Sequence, residues 1–450
     1  MTPRELRATG SLAAIFAMRL LGLFMIYPVF AAYARHLPGA TPEMIGLALG
    51  AYGLTQGVLQ IPFGLLSDRI GRKTVISVGL VLFGIGSAVA ALATSIDGVL
   101  LGRILQGTGA VGSAILASVA DLTREEVRTR AMAMIGMTIG FSFVIAIVLG
   151  PLLAGAIGVS GIFWLTAGLA AIGIAIAQGV VPTPAAILRH RDAEPVPALF
   201  ARVLRNGELL RLDFGIFALH VVLTASFLAV PGLFASALQI ANGGEWRIYL
   251  PVLAASVVLM VPAVIFAEKG GRMKEVLIAA IALLAASIGA MAVAGNMGAV
   301  LVVALIGFFT AFNVMEAMLP SLVTKGAPAD AKGTATGVYS SAQFLGIFVG
   351  GAGGGLASAV DGATGVFILA LAVALIWLAV AVTMRRPGRY RSYLARCGRL
   401  ARAEAGALAS RLQAAPGVVE AVVAPDEGVA YLKIDPTRFD SDAVNRIVAG

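Results

Sequence analysis

An isolated carboxylate and an imidazole stand inside long apolar runs of this chain. Glu316 lies in A-F-N-V-M-E-A-M-L-P, and His220 in F-A-L-H-V-V-L-T. An ionised carboxylate in such surroundings is expensive, so Glu316 must pair or hold a proton, and its charge can then change during a working cycle. His220 is the second candidate, because an imidazole titrates near neutral pH. Each has a structural alternative: a hydrogen bond to a neighbouring helix for Glu316, and a bond to a backbone carbonyl for His220. Asp213, at the start of the run that holds His220, reads as an interface marker. Two cations, Arg19 and Arg103, interrupt apolar runs in the first part of the chain. The neutral polar groups Gln56, Gln60, Gln106, Asn313 and Gln343 can line a central cavity, with Tyr27, Tyr52, Phe143, Phe312 and Tyr339 as aromatic walls. Any one of them is also at home in helix packing.

A second constellation is charged and local. Gly64 to Lys73 reads G-L-L-S-D-R-I-G-R-K, placing Asp68, Arg69, Gly71, Arg72 and Lys73 in one short loop between apolar runs. Arg72 and Asp121, the latter at the end of a later run, can pair across that loop. A degenerate copy, Glu268-Lys-Gly-Gly-Arg272, follows two hundred residues on.

The elements that must position these groups are membrane helices. The chain is 59% hydrophobic and 13% charged, whereas soluble domains run near 25% charged, so most of its surface cannot face water. Twelve spans are expected, at 11–35, 43–67, 74–94, 98–120, 131–153, 159–180, 211–236, 248–267, 274–294, 298–323, 333–359 and 363–384. Each is near the twenty residues needed to cross a bilayer. The loops 69–73, 124–130, 189–211, 269–274 and 325–332, with the N-terminal tail, hold 18 of the 33 basic residues, against Arg35 and Arg247 in the opposite set. Positive residues stay on the cytoplasmic side, which puts both termini there. Arg4 and Arg7 precede the first span without a small-residue cleavage site, so that span is expected to be retained.

The proline-rich segment 181–210 divides the spans into halves, 1–180 and 211–385, of six each. Residues 196–208 suit either a short amphipathic helix or an irregular linker. Gly136 and Gly150 have counterparts Gly337 and Gly351 at one offset of 201, as a parallel repeat requires. After the last span, Arg385–Arg399 carries six arginines and no acid, a stretch suited to anionic headgroups. Residues 386–450 then read as a small cytoplasmic α+β unit. A first strand at Tyr390–Leu394, a helix at 401–414, strands at 418–424 and 428–434 joined by Pro425–Gly428, and a helix at 439–449 give a ferredoxin-like β-α-β-β-α order.

With this loop, the repeat and twelve spans, the chain resembles the major facilitator superfamily, most closely the YajR group of proton-driven inner-membrane transporters that carry a C-terminal ferredoxin-like domain. The resemblance implies an all-α membrane protein with the twelve-helix fold of that superfamily, in two pseudo-symmetric halves of six. Gly64, Asp68, Arg69, Gly71, Arg72 and Lys73 match its motif A. This implies a conformational gate, Asp68 accepting from a helix N-terminus in the other half while Arg72 pairs with Asp121. Arg103 with Gln106-Gly107-Thr108-Gly109-Ala110 matches motif B, which implies a part in proton coupling; Asp121 is a further coupling candidate. Gly136, Gly140, Gly150 and Pro151 match the glycine-rich motif C that the family associates with antiport, although Ala154-Gly155 stands where a glycine pair is common.

The expected function is secondary active transport, by alternating access, of a small organic, amphipathic compound, exported in exchange for protons across a bacterial inner membrane. The rivals are proton-coupled import by symport and a membrane sensor whose C-terminal module binds a ligand or partner. No cofactor is expected, and G-x-x-x-x-G-K-[ST] is absent, which opposes a nucleotide-driven pump and an enzyme. One cysteine, Cys397, and three histidines leave no metal site. The basic charge is spread through short loops, which opposes nucleic-acid binding, and a monomer is expected.

Overall fold

The computed structural model describes every residue except 184–195, 241–242, 296, 387, 389, 399, 426 and 450. The proline-rich centre of the linker, Arg389 and Arg399 of the basic stretch, and Asp426 of the expected turn therefore lie outside the described residues.

Helix α1 (Pro3–Phe24) starts from a reciprocal cap. The Thr2 hydroxyl accepts from the Glu5 N–H at 3.2 Å, and the Glu5 carboxylate accepts from the Thr2 N–H at 2.6 Å. Pro28 cannot donate to the preceding turn, so the chain bends at Met25–Ile26 into α2 (Tyr27–Ala34). Helices α3 (Pro42–Ile70) and α4 (Arg72–Leu92) are separated by Gly71 alone, whose φ of 99° is strained for any residue with a side chain. The expected fourth span is two helices, α5 (Ile96–Thr108) and α6 (Gly112–Leu122), parted by Gly109–Val111.

Two expected interhelix loops have shrunk to almost nothing. Spans five and six form one continuous assignment, α7 (Glu125–Gly179), turned at Gly158, where φ is 71°. Spans eleven and twelve do the same in α13 (Lys332–Val382), with non-helical Asp361 and Gly362. Between them run α8 (Phe200–Leu204), inside the segment that suits either a short amphipathic helix or an irregular linker, and α9 (Gly207–Ala237), α10 (Trp246–Gly270), α11 (Met273–Val293) and α12 (Gly298–Gly326). Counting α1 with α2 and α5 with α6, ten helices among the described residues are long and apolar enough to cross a membrane. Large aliphatic side chains such as Val258, Val303 and Leu375 point outward, as they do where lipid replaces water.

Aromatic pairs join the first and second parts of the bundle at its centre. Tyr27 meets Phe227 edge-on at 5.5 Å, and Phe143 lies 5.0 Å from Phe312. At the end opposite the basic loops, α3 and α13 approach backbone to backbone. A Cβ on Gly46 would come 2.2 Å from the Gly351 carbonyl, and one on Gly50 would come 2.8 Å from that of Phe348. These contacts close α3 against α13 at that end of the bundle.

The C-terminal unit has β1 (Arg391–Arg396), α14 (Arg402–Gln413), β2 (Val418–Ala424), β3 (Val429–Ile434) and α15 (Ser441–Ala449). The sheet order is β1-β3-β2 with β3 antiparallel to both neighbours, so β1 and β2 run parallel around it and α14 makes the crossover. Leu408, Leu412, Leu432 and Val444 close its core.

Candidate functional site

The charged loop is organised around Arg72, which is 2% exposed. Its Nε donates to Asp121 at 2.9 Å and its Nη1 to the Ser67 hydroxyl at 2.7 Å; Asp68 pairs with the same nitrogen. Gly64 packs α3 on α6, where a Cβ would lie 2.9 Å from that of Ser113. Lys73 reaches the Gln178 carbonyl at 3.5 Å, and Arg69 is exposed. The Arg72–Asp121 pairing is as the sequence leads one to expect. Asp68 is not: its partner is Arg72, one turn along the same polypeptide segment, instead of a helix start in the other half. An i,i+4 neighbour is within reach whatever the two halves do, and the cavity lies between the halves at this end.

Arg103 is fully buried in a polar clamp. It donates to the carbonyls of Ala48 (3.4 Å) and Leu49 (3.1 Å) and to Gln106 (2.9 Å), and Gln106 in turn donates to Ser87 at 2.8 Å. Arg103 and Gln106 therefore tie α5 to α3 and α4 and do not face the cavity. Asp121, held by Arg72, is likewise apart from Glu316. The motif C glycines divide. A Cβ on Gly150 would fall 2.3 Å from the Met25 carbonyl, whereas around Gly136 and Gly140 the space is open; Pro151 continues α7 beyond Gly150.

Between the halves, toward the basic end, is a cavity of about 180 Å³. Arg19 and Gln60 line it from the first half, and His220, Glu316, Tyr339 and Gln343 from the second. Arg19 Nη2 donates to the Tyr52 hydroxyl at 2.6 Å and also to Gln56, whose amide donates to Gln60 at 2.8 Å. Tyr52 and Gln56 thus stand behind Arg19 as its support and are not cavity walls. Tyr27, Phe143 and Phe312 are absorbed in the central aromatic packing, with Tyr27 also 3.4 Å from Thr224. Asn313 turns away to donate to Ser256 at 3.0 Å, which ties α12 to α10. Helix rotation decides each of these outcomes, and residue type alone does not reveal it.

The sequence reading overlooked Thr336 and Ser340, which line the same cavity. They form a polar stripe with Tyr339 and Gln343 at helical spacing in an otherwise apolar run, a signal that was available. Phe16, Leu20 and Phe24 complete the apolar wall on α1.

His220 makes the backbone contact that is its structural alternative. Nδ1 lies 3.1 Å from the Ile216 carbonyl, which can only accept, so Nδ1 carries a proton. Nε2 is 2.9 Å from the Gln343 amide nitrogen and accepts from it, and Glu316 Oε1 is 3.3 Å from the same Nε2. With that lone pair occupied, Nε2 has no proton to give Glu316, whose Oε1 has no hydrogen-bond partner; the two side chains share a proton only once Gln343 releases Nε2.

The small domain touches the bundle beside the cavity mouth. Arg202 on α8 bridges Asp330 (2.9 Å) and Glu420 (3.1 Å), and Lys433 Nζ donates to the Ala327 carbonyl at 3.1 Å. Ala329 packs on Ala424, Val429 and Tyr431. Burial pushes the Lys433 ammonium below its ordinary range, with Glu420 acting against it; hydrogen bonds from Thr437 lower the Asp435 carboxyl.

Comparison with known proteins accounts for both parts. Residues 12–351 match the Major Facilitator Superfamily model and residues 401–448 the YajR YAM domain. The inner membrane transport protein YajR of Escherichia coli is 44% identical over 441 residues, 97% of this chain and 95% of that one. Multidrug resistance protein MdtH of Aeromonas salmonicida is 27% identical over 338 residues, 75% of this chain and 84% of that one. Among solved structures, a bacterial homologue of the human lysosomal transporter Spinster aligns with a TM-score of 0.67 at 15% identity, covering 85% of this chain and 97% of that one.

Proposed function

This chain belongs to the major facilitator superfamily and is a secondary active transporter, and from that premise we propose that it exports a small organic compound in exchange for protons, with Glu316 and His220 as the proton-carrying pair. The observation that carries this reading is the 3.3 Å approach of Glu316 Oε1 to His220 Nε2 on the cavity wall. A carboxylate that lies beside an imidazole and faces the transport cavity can be loaded and unloaded as the cavity changes sides. Export is supported by the multidrug-resistance relative and by the motif C glycines.

In the same reading, α7 and α13 each cross the membrane twice, turning at Gly158 and at Asp361–Gly362, so the ten long helices make twelve crossings in two halves, 1–180 and 211–385. Gly150 and Gly351, related by the offset of 201, both serve close interhelix contacts, which supports the repeat. The basic end is cytoplasmic, with both termini on that side, and the membrane is the bacterial inner membrane, as for the Escherichia coli relative. The linker 181–210 joins the halves, residues 386–450 are a cytoplasmic ferredoxin-like domain, and the arginines that follow α13 contact anionic headgroups. Motif A, centred on Arg72, acts as the gate: the contacts of Asp68 change partner when the basic end closes.

The test is proton movement in proteoliposomes holding the full chain. Addition of a transported compound on one side should alkalinise or acidify the lumen with a sign set by exchange. Compound flux without proton movement would remove the coupling.

A further inference from the structure

Two ionisable side chains face the cavity from opposite halves, and neither has its opposite charge beside it. Arg19 is 2% exposed; its polar partners, Tyr52 and Gln56, are neutral, and its Nε has no acceptor. Among the described residues no acid forms an ion pair with it. Glu316, with its side chain 24% exposed toward the cavity, has no hydrogen-bond donor on Oε1, since the nearby Nε2 of His220 is already taken by Gln343. An unpaired buried charge is costly, so Arg19 calls for an anion, and Glu316 calls for a cation once it gives up its proton. Between them the lining combines an apolar wall, including Phe16, Leu20 and Ile347, with neutral polar groups of Thr336, Ser340 and Gln343.

We propose that the cavity takes a small zwitterion, its anionic group on Arg19 and its cationic group on Glu316, where it replaces the proton. This rests on the reading of Glu316 as the proton carrier. As the cationic group arrives, the proton leaves the carboxyl for the water at whichever end is open, so the site holds either a proton or the substrate cation. That mutual exclusion is what exchange requires. A neutral compound would leave Arg19 unmatched and the proton in place, and a simple cation would displace the proton but leave Arg19 unmatched. The volume of about 180 Å³ falls below the roughly 300–1,000 Å³ of drug-sized sites, which favours a small solute over the head and tails of a zwitterionic lipid.

The test uses dicyclohexylcarbodiimide, which labels a protonated carboxyl in an apolar setting, on the full chain in maltoside detergent with mass-spectrometric readout at Glu316. Two matched series serve as probes: L-phenylalanine, 3-phenylpropanoate and 2-phenylethylamine; and 6-aminohexanoate, hexanoate and hexylamine. They differ in the separation of the charges. Glu316 should label, and a zwitterion at ten times its Kd should slow labelling about tenfold, with its anion-only and cation-only relatives far weaker. Arg19→Gln should label normally but lose the protection, and Arg19→Lys should keep part of it. Equal protection by the amine alone, or none by either zwitterion, overturns the assignment. Absence of labelling at Glu316 instead overturns the proton reading beneath it. If both Arg19 variants fail to fold, the protection pattern of the unaltered chain decides.

Discussion

Glu316 Oε1 stands 3.3 Å from His220 Nε2, and these two atoms come from helices α12 and α9, almost one hundred positions apart. Both line the cavity from the second half, and Arg19 lines it from the first.

Glu316→Gln keeps the size and removes the titration. Downhill exchange should survive while accumulation driven by a pH gradient falls by about tenfold or more, the scale of one lost 1.4 kcal/mol coupling. Uptake into proteoliposomes with and without an imposed gradient separates the two. Normal gradient-driven accumulation in this variant would make Glu316 structural. His220→Gln belongs in the same assay, with a smaller loss expected because the glutamine can still bond both neighbours.

Arg72 should respond differently to its two acids. Asp121 is fully buried and Asp68 is 12% exposed at the side chain. Breaking a buried pair costs about 3–5 kcal/mol, so Asp121→Asn should lower the thermal midpoint of the purified protein clearly more than Asp68→Asn. Asp68→Asn should leave insertion intact, reduce transport sharply and shift spin-label distances across the basic end. Unchanged transport together with unchanged distances would take Asp68 out of the gate.

The contact between α3 and α13 can be forced apart. Gly46→Leu puts a side chain where a Cβ alone would be 2.2 Å from the Gly351 carbonyl. The variant should insert but populate the conformer open at that end, because only separation of α3 from α13 relieves the overlap. Paired spin labels on those helices read the distance. An unchanged distribution with normal transport would show that the contact opens and closes without strain.

The small domain should fold alone as fragment 388–450, with the modest stability of a unit near sixty residues. Asp435 has its pKa lowered in the folded state, so its contribution is present above the unfolded value and lost as pH falls through the folded one. Thermal midpoints should be flat from about pH 6 to about pH 8 and decline below about pH 4. A steep decline between pH 8 and 6 would point to another group. Lys433 works in the opposite range: its lowered pKa disfavours the charged form where it is docked, so docking gains only as pH rises toward about 10.

Truncation after Arg386 should leave the bundle inserted and at least partly active, since the domain contacts it through a few polar links and one apolar patch. Size-exclusion in detergent and counterflow measure both. Complete loss of folded protein would make the domain an integral part of the bundle. Lys433→Ala should give a smaller version of the same effect, seen as faster hydrogen exchange at 325–332, in line with about 1 kcal/mol for one hydrogen bond.

The sequence by itself determined what depends on local pattern. Apolar runs of bilayer length define the helices, the basic loops mark one end, and Gly71 makes the turn between α3 and α4. Ionisable residues stranded in apolar runs pointed to Glu316 and His220, and alternating strands around a helix led to the split β-α-β of the tail. Only the tertiary structure decided which groups meet. A helix carries side chains on every face; the rotation of α12 turned Asn313 and Phe312 into packing, and that of α13 brought Thr336 and Ser340 to the cavity. It left Arg19 on neutral partners, gave Asp68 to Arg72, and reduced two expected loops to turns at Gly158 and Asp361–Gly362. The partners of Arg19 and Asn313 and the make-up of the cavity wall follow from distances between segments far apart in the chain, and the same one-dimensional pattern would serve a bundle closed at either end.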